Sequence, residues 1–238
     1  MIIRSSDTLC RAASALALLA LVTLGTSCSH DVPTAARVAP TPNPPAPSSP
    51  AGVVDLFQWS MNNRDLPHFQ ELFTSDFQFA FAAADTAAFH FGTLSRDEML
   101  IAAHHLFAGG SATEPPARSI SLIFDGNLPA VPDLRPGMLA GWHQAVQVPS
   151  LTLTINATDG SAIRIAGGLM FYVVRGDSAA VPPDLLARGI RPDSARWFIG
   201  RMEDETGGGA APRSAVAPAA TLPTRKITLG RLLLFYRL

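Results

Sequence analysis

From residue 49 onward, apolar positions recur first at spacings of three and four, then of two, then of three and four again, and finally in long alternating runs. Ser49-Pro50 reads as an N-cap with proline in the first helical turn, and Val54, Phe57 and Met61 give the following helix one apolar face. Asn62-Asn63 ends it. Asp65 can cap a second, short helix carrying Phe69, Leu72 and Phe73, and Thr74-Ser75-Asp76 breaks that period. Phe77, Phe79 and Phe81 alternate, which predicts a strand with one buried face. Residues 87–92 alternate again through Phe89 and Phe91, so Ala83 to Thr86 is expected to be a hairpin turn. Ser95-Arg96-Asp97-Glu98 fits a capping box, and a third helix with Met99, Ala103, Leu106 and Phe107 on one side runs to the stop at Gly109-Gly110.

Four further strands are expected at 119–125, 142–156, 161–175 and 195–205, with a turn at Asn156 to Gly160. In the longest, the apolar parity switches from Val146 and Val148 to Leu151, Leu153 and Ile155, with Pro149-Ser150 at the switch. Such a change of parity requires a bulge or bend. Gly167-Gly168 suggests a kink in the neighbouring strand. Two adjacent bent strands imply a sheet that curls around something.

Upstream the pattern vanishes. Residues 1–27 read as an export signal, with Arg4 and Arg11 in a basic leader and an apolar stretch from Ala15 to Leu24. That stretch is shorter than the roughly 20 apolar residues of a membrane-spanning helix. It closes on Leu24-Gly25-Thr26-Ser27-Cys28, which resembles the lipobox of bacterial lipoproteins and implies that Cys28 is acylated and becomes the mature N-terminus. Cys10, the only other cysteine, lies inside the signal, so the mature chain has no partner for an internal disulfide. Buried acyl chains contribute ~0.8 kcal/mol per CH₂, enough in combination to hold a protein on a bilayer. Residues 28–50 are a proline-rich tether that, as polyproline II, would reach as much as roughly 70 Å.

The globular unit is then 51–206, followed by a Gly/Ala/Pro-rich spacer at 207–224 and an apolar tail at 225–238. As a strand the tail presents Ile227, Leu229, Leu233 and Phe235; as a helix it presents Leu229, Leu232, Leu233 and Tyr236. Left exposed it would be adhesive, so it is expected to pack on its own domain, over the open end of the sheet or on a second subunit. Composition agrees with one packed domain plus appendages. In 238 residues, 47% are apolar and 16% charged, which excludes wholesale disorder. A formal charge of −1 gives no general attraction to nucleic acid.

The order helix, helix, strand, strand, helix and then four strands resembles the nuclear transport factor 2-like superfamily, which includes the SnoaL-like cyclases and dehydratases. Asn63-Arg64-Asp65, residues 72–77 (LFTSDF) and residues 196–204 (RWFIGRMED) carry the likeness, over residues 51–206. The resemblance implies an α+β fold in which a strongly curved, mainly antiparallel sheet wraps around three helices and encloses a cone-shaped cavity. Some members use that cavity as an active site and others as a ligand or partner pocket, so fold alone does not decide function.

The enzymatic members imply acid–base chemistry by Asp or His in an apolar cavity. Here the candidates are His104, where at most one of His104 and His105 can face inward, and Asp204, which alternation places opposite Arg201 and Glu203. The bland readings are a polar helix border and, for Arg201 with Glu203, a surface ion pair. Trp59, His90, Tyr172 and Trp197 are candidate pocket-lining residues. His90 points either inward or outward, and the aromatic residues fit plain core equally well. His143 beside Trp142 is open between the same two directions, His68 reads as a surface residue of a short helix, no metal-binding spacing appears, and neither a phosphate loop nor a Gly-x-Ser-x-Gly elbow is present. Arg175-Gly176-Asp177 is a turn sequence.

The expectation is an exported, lipid-anchored envelope protein with a non-catalytic domain that binds a small apolar molecule or a protein, with neither cofactor nor metal. The alternatives are an isomerase, dehydratase or cyclase working in the cone, and a structural role with the cone filled. Its partners would be the membrane, a small ligand or protein, or a second copy, and not nucleic acid.

Overall fold

A computed structural model describes residues 43–90, 92–207 and 224–238. The signal segment, Cys28, most of the tether, Phe91 and spacer residues 208–223 lie outside them. Helix α1 spans Pro50–Asn63; the Ser49 hydroxyl accepts the Gly52 N–H at 3.0 Å, and Arg64 closes the helix in the left-handed conformation. Helix α2, Leu66–Gln70, starts on Asp65, whose carboxylate accepts the His68 N–H at 2.9 Å. Strand β1 follows at Phe73–Ala80.

The expected turn and strand over 83–92 are instead a helix, α3, at Ala83–Phe89. Four of its seven residues are alanine, the strongest helix former, and alanine satisfies the alternating pattern without committing to a buried strand face. His90 ends α3 at φ 58° and is exposed rather than turned into the core. Strand β2 is confined to Thr93–Ser95. The capping box forms as expected, with Ser95 and Glu98 bonded to each other's backbone amides, and starts helix α4 at Arg96–His104. A single π-helical turn, His105–Gly109, continues it.

Strands β3 (Ala117–Asp125), β4 (Ala130–Pro132), β5 (His143–Ala157) and β6 (Ala162–Arg175) come next. Short helix α5 (Pro183–Ala187) and strand β7 (Trp197–Thr206) complete the domain. The tail supplies β8 (Thr224–Lys226) and helix α6 (Leu229–Arg237). The main order across the sheet is β2-β1-β7-β6-β5-β3, with β4 on β5 and β8 on β6. Pairing is antiparallel except for β1 with β7 and β8 with β6. The predicted bend in β5 is present as a register shift between Val148 and Leu151. Opposite it Gly167 adopts φ 142°, and a Cβ there would lie 2.6 Å from the Thr206 Cα, so only glycine permits this kink without displacing β7.

One face of the sheet carries α1, α4 and α6, and the space between is filled, while α5 packs through Leu185 on Val174 and Phe198 of the other face. Phe57 meets Phe171 at 5.3 Å and Phe69 at 5.5 Å, Phe69 continues to Phe73 and Phe107, and Phe73 reaches Phe77 at 4.5 Å. All are buried in one continuous core. Helix α1 is also fastened to edge strand β3: Asn62 both donates to and accepts from the Leu122 backbone, and Gln58 donates to the same carbonyl. The tail docks on its own domain as a helix, burying Leu229, Leu232, Leu233 and Tyr236. The end of the tether also packs, since the Trp197 N–H donates to the Pro47 carbonyl at 2.7 Å.

Candidate functional site

The residues expected to line or operate the cone separate in space. Trp197 is buried core, and Trp59 is half-buried against that core, edge-on to His68 at 5.3 Å. His104 lies exposed on α4, away from the core, whereas His105 turns inward and its Nδ1 meets the Tyr236 carbonyl at 2.7 Å. Asp204 is buried, but its role is to hold the tail. One carboxylate oxygen accepts from the Thr206 N–H and hydroxyl, the other from the Gly230 N–H at 2.7 Å, and Thr206 Oγ1 accepts the Leu229 N–H at 2.8 Å. Asp85, also buried, binds the Arg231 Nε at 2.8 Å and the Thr228 hydroxyl. Two buried carboxylates thus face the positive end of α6, where exposed backbone N–H groups favour anions.

Tyr172 and His143 line an accessible recess, and that recess is on the opposite face of the sheet from α1, α4 and α6. It is a groove of about 310 Å³. Outward positions of β1, β6 and β7, including Thr74, Gln78, Tyr172 and Arg201, form its floor, and the connection from β4 to β5 overhangs it through Asp133, Arg135 and Met138. The Arg135 guanidinium stacks 3.8 Å over the Tyr172 ring and grips Asp133 with two nitrogens, Nε at 3.0 Å and Nη2 at 2.7 Å. The Tyr172 hydroxyl donates to Glu203 at 3.1 Å, Arg201 donates to the other Glu203 oxygen at 2.7 Å, and Arg201 also donates to the Gln78 side chain at 3.0 Å.

Burial would push Asp133 up, but the hydrogen bonds and charge of Arg135 outweigh it and hold the carboxyl below its ordinary range. Burial and the adjacent Glu203 carboxylate raise the Tyr172 phenol, which stays protonated as a donor. At the groove floor the Thr74 hydroxyl is buried and has no partner among the described residues. Arg201 beside Glu203 was legible as an ion pair from alternation, whereas Asp133 and Arg135 sit in an aperiodic connection that no spacing rule reads. Among the described residues there is no cluster of three or more His, Cys, Asp or Glu able to hold a metal, and no helix is long and apolar enough to cross a membrane. Arg175 and Asp177 close on each other at 2.7 Å across their turn.

No family model and no curated protein matches the chain. Solved structures similar to it include a conserved protein from Planctomyces limnophilus, at 12% identity and TM-score 0.44 over 66% of this chain and 91% of that one. A nuclear transport factor 2-like superfamily protein from Salmonella enterica is similar at 12% identity and TM-score 0.41, over 70% and 92% of the two chains. A ketosteroid isomerase-like protein from Erwinia carotovora is similar at 10% identity and TM-score 0.39, over 64% and 89%. At such identities, and with TM-scores below 0.5, none of these likenesses says what this chain does. The α+β class and the largely antiparallel sheet are read directly from the strand pairing.

Proposed function

We propose that the chain is an exported protein, anchored to a bacterial membrane through acylated Cys28, whose domain binds a small polar molecule in the groove on the outer face of its sheet without transforming it. The observation that carries the binding site is the polar set that meets in the groove, Gln78, Tyr172 and Arg201 on its floor with Asp133 and Arg135 above them. Beneath them the Thr74 hydroxyl is closed off from solvent with no partner among the described residues, at a cost of about 1–3 kcal/mol that a hydrogen-bonding group reaching the floor would relieve. Around it the charges are paired off, Asp133 with Arg135 and Glu203 with Arg201, which favours a ligand that is uncharged or zwitterionic. At about 310 Å³ the groove is at the lower end of the roughly 300–1,000 Å³ of small-molecule sites.

An apolar ligand in the cone, the expectation from the sequence, would have to displace Phe57, Phe69 and Phe171 from a closed core. The acid–base alternative needs a proton-transferring group beside an accessible recess. Asp204 is committed to α6, His104 does not line the groove and Asp133 is held by Arg135, so an acid–base reading would fall to Asp76 and His143, which do line it.

Native mass spectrometry of the full protein extracted from its envelope host, followed by denaturation, identifies any retained molecule. The expected result is a small polar species. Thr74→Val removes the hydroxyl at nearly constant volume and should weaken its binding about tenfold, the equivalent of one hydrogen bond; Arg201→Ala should weaken it further. An apolar ligand held equally by both variants overturns the groove reading, and a protein that retains nothing favours the structural role.

A further inference from the structure

Of the nine exposed large apolar side chains among the described residues, five fall within the short connection around β4 and the start of β5: Val131, Leu134, Met138, Leu139 and Trp142. Leu134 is 91% exposed and Trp142 39%. The polar groups of this loop are largely occupied by one another. Asp133 holds Arg135, the Asp133 N–H donates to the His143 carbonyl, and the Met138 and Trp142 N–H groups donate to the Arg135 and Leu139 carbonyls. The Leu139 N–H donates to His143 Nδ1 at 3.3 Å. The tip can therefore leave water without stranding these groups, which a solvated loop has no need to arrange.

What covers it follows from where the tether enters. The Trp142 carbonyl accepts from Arg175, Arg175 pairs with Trp197, and the Trp197 N–H donates to Pro47. Three hydrogen-bonded steps of about 4.8 Å place the incoming chain within about 15 Å of Trp142, at the same end of the sheet. Cys28 lies 19 residues before Pro47, a reach of at most about 60 Å as polyproline II. The tether therefore enters the domain at the end that carries the apolar loop, and leaves that end within reach of the bilayer.

We infer that the loop 131–142 is a second membrane contact, with Leu134, Leu139 and Trp142 resting in the lipid interface and turning the mouth of the groove towards the bilayer surface. Tryptophan suits this position because its ring is apolar and its N–H remains wet. The inference rests on the anchoring reading, and its test separates the two.

The mass of the N-terminal peptide of the protein from a bacterial host reports acylation of Cys28. The same protein is then reconstituted into vesicles of phosphatidylethanolamine and phosphatidylglycerol with brominated acyl chains, which quench tryptophan fluorescence only at bilayer depth. The expected result is quenching that disappears in Trp142→Phe, since Trp59 and Trp197 are packed against the protein core, and that falls in the combined Leu134→Ser, Leu139→Ser variant. Acylated protein without quenching at Trp142 overturns the loop contact and leaves the anchor standing. Unacylated Cys28 removes the anchor, and vesicles added to that protein judge the loop by the same signal, with absence of quenching again overturning it. A dimer in vesicle-free solution with Trp142 shielded from acrylamide would assign the loop to a second copy instead.

Discussion

Asp204 shows how one carboxyl can be legible in chemistry and opaque in role. Alternation along its strand sets it apart from Arg201 and Glu203, and burial follows from that face, but besides Thr206 the donor it serves, the Gly230 N–H, lies 26 residues away on α6. Asp204→Asn would turn an amide NH₂ towards either Gly230 or Thr206, and a loss of about 1–3 kcal/mol is expected in urea unfolding. Burial pushes this carboxyl above its ordinary 3.8, outweighing the hydrogen bonds from Thr206 and Gly230, while the Asp85 charge pushes the same way. The folded state then binds the proton more tightly than the unfolded chain. This contribution to stability is full below about pH 4 and declines as pH rises through the elevated value. Unfolding midpoints from pH 3.5 to 7 should show that decline in the wild type and lose it in the variant. A parallel pair of pH profiles would show that Asp204 does not titrate differently in the two states.

Among the elements, α6 determines whether the helix-covered face of the sheet is closed. Its N-terminus rests on Asp204, Thr206 and Asp85, Tyr236 donates to the Pro115 carbonyl at 2.7 Å, and Leu232 is fully buried. Gly230 is there because a Cβ would lie 2.5 Å from the Phe81 ring. Leu232→Ala should cost roughly 2–5 kcal/mol. Removing residues 224–238 should expose enough apolar surface to bind a hydrophobic dye; a truncated protein with an unchanged melting temperature and no dye binding would mean that α6 is an ornament rather than part of the core. The tail's two periodicities were both readable in KITLGRLLLFYRL, and the helical one names the buried set correctly. Nothing local could choose between them, because the choice depends on two distant carboxylates. The misreading of α3 has the opposite cause: propensity favoured helix there, and the alternation of alanine with phenylalanine carried little information.

At the scale of the whole molecule, anchoring is the reading that depends least on the fold. Cys28→Ser should move the protein from the membrane to the soluble fraction of a bacterial host, or leave it with an uncleaved signal visible as a heavier band. Wild-type protein found wholly in the soluble fraction would remove the anchor. The filled core and the groove belong together. The aromatic side chains fill the core under α1, α4 and α6, and the accessible polar recess, with Tyr172 and Arg135, lies on the opposite face.

Caps, periods and breaks are short-range properties, so α1, α2, α4 and the four long strands could be placed from the sequence within a few residues, and with them the curled α+β class. Parity at Pro149-Ser150 and the Gly167-Gly168 pair even located the bends. Only the tertiary structure decided that the expected cavity is occupied, because filling depends on how Phe57, Phe69 and Phe171 converge from three separate elements. It also decided which recess is open. The Asp133–Arg135 clip and the unpaired Thr74 hydroxyl are brought together by strand order, and strand order is set by long-range pairing that leaves no periodic trace in the chain.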